Sequence, residues 1–311
     1  MKRAISILCL AVLWQVSSAW AQLAPVNELG LSWGHMHLYP PDREKEAKAW
    51  IRMGGQLLNN FSGNIPIGFP GIIILVGAER KTSVGTAGSL VDHLAFRVPD
   101  LQADLTKWAG VKTWWLPLRA GSNQGLDGNW GFKFETGDRP GQAFVTTPGG
   151  IKVEILEDKS LKVPIVFDHT HFVVESSRMK EMEDYYAKMF GAKPIKGEAD
   201  ALSIPGGKLL FAKSATPPAT TIGRTLDHIG FNMLNAEALA AFSKAFEAKG
   251  GKLQRPYESS SMGMSRVVDG FGAIIEITKA QGGYFDAKLL DAPFFQVDEG
   301  GRKEGDPRPQ R

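Results

Sequence analysis

Cysteine is almost missing from this chain of 311 residues, and the single one, Cys9, sits inside an apolar run at the amino terminus. Lys2 and Arg3 precede that run, residues 4–16 form it, and Ala19-Trp20-Ala21 comes after it as a small-x-small cleavage pattern. These are the three parts of a secretory signal peptide over residues 1–21, and the run is too short to span a bilayer. Cys9 would leave with the leader, and Ser6-Ile7-Leu8 before it does not resemble a lipoprotein processing site. The mature chain, beginning near Gln22, would then carry no thiol. That excludes disulfides, thiolate metal ligands and cysteine nucleophiles together.

An excess of charge of either sign is also missing. The formal charge is +3, and removal of Lys2 and Arg3, with no acidic residue in 1–21, brings it to +1. The basic residues are dispersed: Lys45 and Lys48 share their segment with Glu44 and Glu46, the pattern of a solvated helix face. A near-neutral chain without a basic stripe has no footprint for nucleic acid. No other segment is apolar for long enough to cross a membrane, so export to the periplasm or the medium is expected, with no membrane contact once the leader is gone.

What is present is an ordinary globular composition, 43% hydrophobic and 22% charged, in a chain long enough for two domains. Glycine, at 35 residues, is enriched and favours a turn-rich β fold. The six histidines all fall in four short alternating segments: Gly34-His35-Met36-His37-Leu38, Asp92-His93-Leu94-Ala95-Phe96, Asp168-His169-Thr170-His171-Phe172 and Asp227-His228-Ile229-Gly230-Phe231. Each reads as a strand with one face on a core. A helical pattern comes after each one, over residues 43–53, 101–109, 178–190 and 236–249, with Leu239, Phe242 and Phe246 marking one apolar face of the last. The helices stop at Gly54, Gly110, Gly191 and Gly250. Short strands come next, among them 71–76, 151–156, 208–212 and 273–278.

The unit is therefore β-α-β-β-β, present four times. The first and third units share an H-x-H strand. The second and fourth share Asp-His-x-x-Phe and a glutamate in the last strand, Glu154 and Glu276. A pair of units is thus duplicated once. The expected organisation is an α+β protein with a leader at 1–21, one two-unit domain over 22–160, a second over 161–281, and a polar tail over 282–311.

At these residues the sequence resembles the vicinal oxygen chelate superfamily, which includes glyoxalase I, the bleomycin- and fosfomycin-resistance proteins and the extradiol ring-cleaving dioxygenases. The likeness runs from about Leu31 to Lys279. It implies that βαβββ units pair into a curled sheet around a divalent-metal cleft, with ligands from the first strands and the last strand. Carried over by sequence order, His35, His93 and Glu154 would hold one metal, and His169, His228 and Glu276 another. The spacings agree: 58 and 59 residues separate the histidines, then 61 and 48 lead to the glutamates. Two imidazoles and one carboxylate with open positions suit Fe, Mn or Zn. Burying Glu154 between Val153 and Ile155 itself requires a cation or donor. His37 and His171 lie two residues along on the same faces and are candidates for substrate contact, acid–base work or supporting hydrogen bonds.

Departures from the better-known members narrow the reading. Glyoxalase I draws a further carboxylate from the last strand of its first unit, where this chain has Ile72-Ile73-Ile74-Leu75 and Leu209-Leu210-Phe211. The ring-cleaving dioxygenases add a histidine and a tyrosine; here no histidine is left over and no tyrosine stands near Arg266, although Tyr257 lies in the preceding loop. An exported protein would also lack the cytoplasmic thiol that fosfomycin-resistance enzymes use. The resemblance implies a metal-dependent lyase, isomerase or dioxygenase acting on a small oxygenated molecule, or a non-catalytic small-molecule binder of the bleomycin-resistance type. In the stretch 114–142, Trp114, Trp115, Trp130 and Phe132 stand as either a ligand-facing wall or packing on the outer sheet.

Overall fold

The computed structural model describes residues 24–58, 63–110, 131–256 and 264–279. Within them the fourfold βαβββ repeat is complete. The first unit is β1 (Leu31–Leu38), α1 (Arg43–Arg52), β2 (Gln56–Leu57), β3 (Ile65–Phe69) and β4 (Ile72–Val76). The second is β5 (Val91–Val98), α2 (Leu101–Ala109), β6 (Lys133–Thr136), β7 (Gln142–Thr146) and β8 (Lys152–Glu157). The third is β9 (Val166–Glu175), α3 (Met179–Phe190), β10 (Lys193–Pro194), β11 (Ala201–Ile204) and β12 (Gly207–Ser214). The fourth is β13 (Leu226–Met233), α4 (Ala236–Ala248), β14 (Leu253–Arg255), β15 (Met264–Val268) and β16 (Ile274–Lys279).

Local chemistry explains the helix limits. Asp42, Asp100 and Asn235 cap α1, α2 and α4 by accepting from the backbone N–H three residues on. The four stop glycines all have positive φ, which a side-chain-bearing residue would adopt only with strain.

The pairing of units differs from the sequential order. Two eight-stranded sheets form, one running β14-β15-β16-β13-β1-β4-β3-β2 and the other β10-β11-β12-β9-β5-β8-β7-β6. The first unit pairs with the fourth and the second with the third, so each sheet takes one unit from each half of the chain. The central contacts are antiparallel, β1 on β13 and β5 on β9. The two crossover segments that allow this, 77–90 and 215–225, run together: Leu90 N–H donates to Ala219 O at 2.8 Å and Thr225 N–H to Val84 O at 2.9 Å. Gly85 passes so close to Gly150 that a Cβ would lie 2.0 Å from its carbonyl oxygen.

One continuous core joins the sheets, with Trp33 against Phe167 and Phe231, and Phe96 against Phe69 and Trp50. Phe132 belongs to this core, fully buried beside Phe134, so at that position packing holds; Trp114, Trp115 and Trp130 lie outside the described residues.

Glu46 is not on a solvated face. It is fully buried and accepts from Trp50 Nε1–H at 2.8 Å, the Thr147 hydroxyl at 2.8 Å and Gly149 N–H at 2.6 Å. It therefore ties α1, behind one sheet, to the β7–β8 turn of the other. The fourth unit answers with inverted chemistry: buried Tyr186 on α3 donates its hydroxyl to Asp269 Oδ2 at 3.1 Å, in the β15–β16 turn. Removing the acceptor strands three buried donors, so Glu46→Ala is expected to lower unfolding free energy by about 2–4 kcal/mol, read by urea denaturation. A loss within the scatter of surface substitutions would show that the tie carries no weight.

Candidate metal centres

Four β-bulges aim the histidines. Along β1 the residues facing the core are Leu31 and Trp33, then Met36 and Leu38, a step of three where strict alternation gives two. The pairing skips Gly34 at that point. The same offset falls at Asp92 in β5, Asp168 in β9 and Asp227 in β13. An extra residue in one strand re-aims its successors, and here the next residue is a histidine each time, swung from the core to the opposite face. At position 34 a Cβ would lie 3.2 Å from Gly230 O and from Asn232 Cβ, a tight approach, whereas the other three bulges carry aspartate.

The structure regroups the ligands accordingly. His35 and His93 lie in different sheets, as do His169 and His228, so neither triad taken in sequence order converges. Instead His35 and His228 approach Glu276, each with Nε2 at 3.3 Å from Oε2. His93 and His169 approach Glu154, with Nε2 atoms at 3.4 and 3.2 Å from Oε2. The reason is the unit pairing: His35 comes from the first unit and His228 and Glu276 from the fourth, while His93 and Glu154 come from the second and His169 from the third.

His37 and His171 are beside these triads, directly across the ladder from His228 and His93. Their ring centroids are 4.7 and 4.5 Å from those partners. Ligand atoms of His35, His37, His228 and Glu276 all lie within 4.8 Å of one another, and those of His93, His169 and His171 do likewise.

Three aspartates that sequence order did not single out complete the shell. Asp92, Asp168 and Asp227 hold the Nδ1 atoms of the histidines next to them in the chain, at 2.7, 2.8 and 3.0 Å. Consecutive strand residues normally face apart; the bulge brings each pair to one side. Their signal in the sequence was the Asp-His dipeptide in three of four units. Lys152 and Arg97 in turn pair with Asp92 and Asp168, and Arg80 with Asp227. An Nδ1–H held this way leaves Nε2 free to ligate.

Titration behaviour is set by these contacts. Burial opposes ionisation of Glu276 and Glu154, but the histidines on them outweigh it and hold both carboxyls below the usual range; Gln142 also donates to Glu154. Burial disfavours protonated His228 and His169, yet Asp227 with Glu276 and Asp168 with Glu154 raise both. His35 is preceded by glycine rather than aspartate, and burial wins over Glu276 to lower it. Burial and then the neighbouring histidines bring His37 down to about 3 and His171 to about 4. Both are neutral near pH 7 and weak as bases, better suited to ligate or to accept a hydrogen bond.

The donor sets fit a divalent metal. The Nε2 atoms of His93, His169 and His228 are buried and make no directed hydrogen bond, although each lies 3.2–3.4 Å from a carboxylate oxygen. Buried imidazole nitrogens that converge with one carboxylate on a single point form a donor set that a cation would satisfy. Ligand bonds of roughly 2.1 Å put neighbouring donors about 3.0–3.4 Å apart, which is the spacing found. A metal must displace the proton that His169 or His228 holds. Affinity is therefore expected to rise about tenfold per pH unit until their raised pKa is passed and then to level off, checked by calorimetric titration in buffers of different ionisation heat. Uptake with no proton release would contradict it.

Comparison with known proteins bears on this fold. Residues 167–277 match the model of the Glyoxalase/Bleomycin resistance protein/Dioxygenase superfamily. That segment spans the third and fourth units, which are consecutive in sequence but lie in different sheets. Among solved structures, glyoxalase I from Zea mays is similar at 15% identity and a TM-score of 0.59, over 84% of this chain and 96% of that one. A putative dioxygenase from Bacillus subtilis is similar at 17% identity and a TM-score of 0.56, over 86% and 89%. At such identities the likeness is one of fold. No curated protein matches the chain.

Proposed function

We propose that this chain is an exported metal-dependent enzyme acting on a small molecule with two adjacent oxygens, by lyase, isomerase or dioxygenase chemistry. One observation carries the reading: at each centre, buried imidazole nitrogens and one carboxylate oxygen converge at ligand spacing on a face lined by further histidine. His35, His228 and Glu276 would hold one divalent ion, and His93, His169 and Glu154 another, its identity lying among Fe, Mn and Zn. A bound ion would supply Lewis-acid stabilisation to a substrate oxygen that gains negative charge.

The rest of the site's work belongs to the chain. Asp227, Asp92 and Asp168 orient the imidazoles through Nδ1. His37 and His171, kept neutral by burial and by their neighbours, accept a hydrogen bond from a substrate hydroxyl at Nε2 or Nδ1. Tyr39 stacks on His37 with centroids 4.6 Å apart and fixes that ring. The likeness to glyoxalase I and to a putative dioxygenase supports the reaction classes named.

The leader and the cleavage near Gln22 lie outside the described residues. Among those described, no helix is long and apolar enough to cross a membrane. Elemental analysis of protein recovered from the periplasm or medium, with intact mass on the same sample, tests the whole reading. The expected result is up to two equivalents of metal on a chain starting near Gln22. Metal-free protein that still binds small molecules would favour the binding-module reading, and full-length protein confined to the cytoplasm would end the proposal of export.

A further inference from the structure

The two centres are related by an approximate twofold repeat, and one position breaks that relation in chemistry. Across the β15–β16 ladder the residue opposite Glu276 is Arg266. Across β7–β8 the residue opposite Glu154 is Phe144. An arginine at one centre thus stands where the other has a phenylalanine.

We propose that the β1 centre binds a ligand bearing an oxyanion, such as a 2-hydroxy acid, held jointly by its divalent metal and the Arg266 guanidinium, whereas the β5 centre takes an uncharged ligand. This rests on the metal reading above and adds the ligand class at each centre.

Three observations carry it. Arg266 places a terminal guanidinium nitrogen 3.5 Å from Glu276 Oε1, the oxygen not shared by the histidines, and its side chain keeps 26% exposure. Its Nε is buried without a hydrogen-bond partner, so a donor remains for an incoming acceptor.

The charge balance points the same way. At the β1 centre Glu276 and Asp227 are already matched by Arg266 and Arg80, so among the described residues of this cluster no unmatched carboxylate remains for a dication. At the β5 centre, among the described residues, Glu154, Asp92 and Asp168 face Lys152, Arg97 and the more distant Lys208, and Arg97 and Lys208 are also shared with Asp158 and Glu198. A metal there is largely neutralised by the protein. Excess positive charge in a buried cleft calls for an anion, and a guanidinium beside a metal offers it a planar pair of donors.

The third observation is the wall at the β5 centre. Phe144 stands edge-on to His93 with centroids 5.5 Å apart, and Lys152 covers its ring at 4.4 Å while pairing with Asp92. Gln142, a neutral donor, satisfies Glu154 where the other centre uses arginine. Among the described residues, the cations of that arrangement are already engaged with carboxylates.

The test uses the full metal-loaded chain and two probes of nearly equal shape, glycolate and hydroxyacetone, which share adjacent oxygens but differ in charge. Glu154→Gln isolates the β1 centre and Glu276→Gln the β5 centre. Calorimetry should show glycolate favoured over hydroxyacetone by about tenfold more at the β1 centre than at the β5 centre. Adding Arg266→Gln to Glu154→Gln should weaken glycolate about tenfold, leave hydroxyacetone unchanged, and keep metal affinity at or above its former value because a competing cation is gone. A purely structural arginine would lower metal and both probes together, and that result overturns the proposal, as does an equal glycolate preference at both centres. Parent protein that takes up no metal overturns the metal reading and this inference with it; retained metal with no charge preference overturns this inference alone.

Discussion

His35→Ala combined with His93→Ala is expected to abolish both equivalents of bound metal, and His35→Ala combined with Glu276→Gln to abolish one. The two double variants separate the crossed grouping from the sequential one, under which the first pair would empty a single site and the second would damage two. The physical basis is that each centre has one carboxylate. Its loss leaves neutral imidazoles around a dication, a larger defect than losing an outer-shell partner, which already costs roughly 10- to 100-fold in affinity. Glu276→Gln and Glu154→Gln should accordingly each remove about one equivalent, measured by elemental analysis after dialysis against buffer of fixed free metal. Within a centre the second substitution has nothing left to remove, so effects there are strongly non-additive, while across centres they add. Full metal retention by the Glu154→Gln, Glu276→Gln double variant would show that the triads do not bind metal at all.

Division of the chain at residue 160 should have an effect of the same size by a different route. Residues 22–160 and 161–281, produced separately, are expected to bind no metal and to melt without a cooperative transition, and mixing them should restore both properties. In the intact chain β1 lies between β13 and β4, and β5 between β9 and β8. Either half alone would leave two central strands with an open edge and the apolar faces of Trp33, Phe96, Phe167 and Phe231 half covered, at roughly 25 cal/mol for each Å² of apolar surface left in water. A single half that took up one equivalent and melted cooperatively would mean that consecutive units can pair directly, and the sheet exchange would then not be needed for the site.

The repeat was legible from short-range physics. Alternation marks strands, a 3.6-residue period with a polar cap marks helices, and a glycine after the last apolar helix residue marks the stop; all of these are decided by neighbours within a few positions. The chemical type of the site was legible for a related reason. Histidine and buried glutamate are costly inside a sheet unless something receives them, so six histidines confined to four equivalent strands singled out the candidate site residues before any fold was known.

Which ligands meet was not legible, because every unit offers the same kind of apolar first strand, and local pattern does not say which other first strand will lie beside it. That choice was made by packing of the whole chain: the crossovers at 77–90 and 215–225, the close approach of Gly85 to Gly150, and the buried ties from Glu46 to Thr147 and Gly149 and from Tyr186 to Asp269. Glu46 shows the limit in one residue. Its place among Lys45, Lys48 and Glu44 in the sequence reads as solvated, yet a turn from another unit covers it and supplies two of its three donors. The same holds for the bulges. An extra residue at Gly34, Asp92, Asp168 or Asp227 exists only relative to the partner strand, so the turning of each histidine toward the candidate site, and the reach of each aspartate to the imidazole beside it, came into being with the pairing itself.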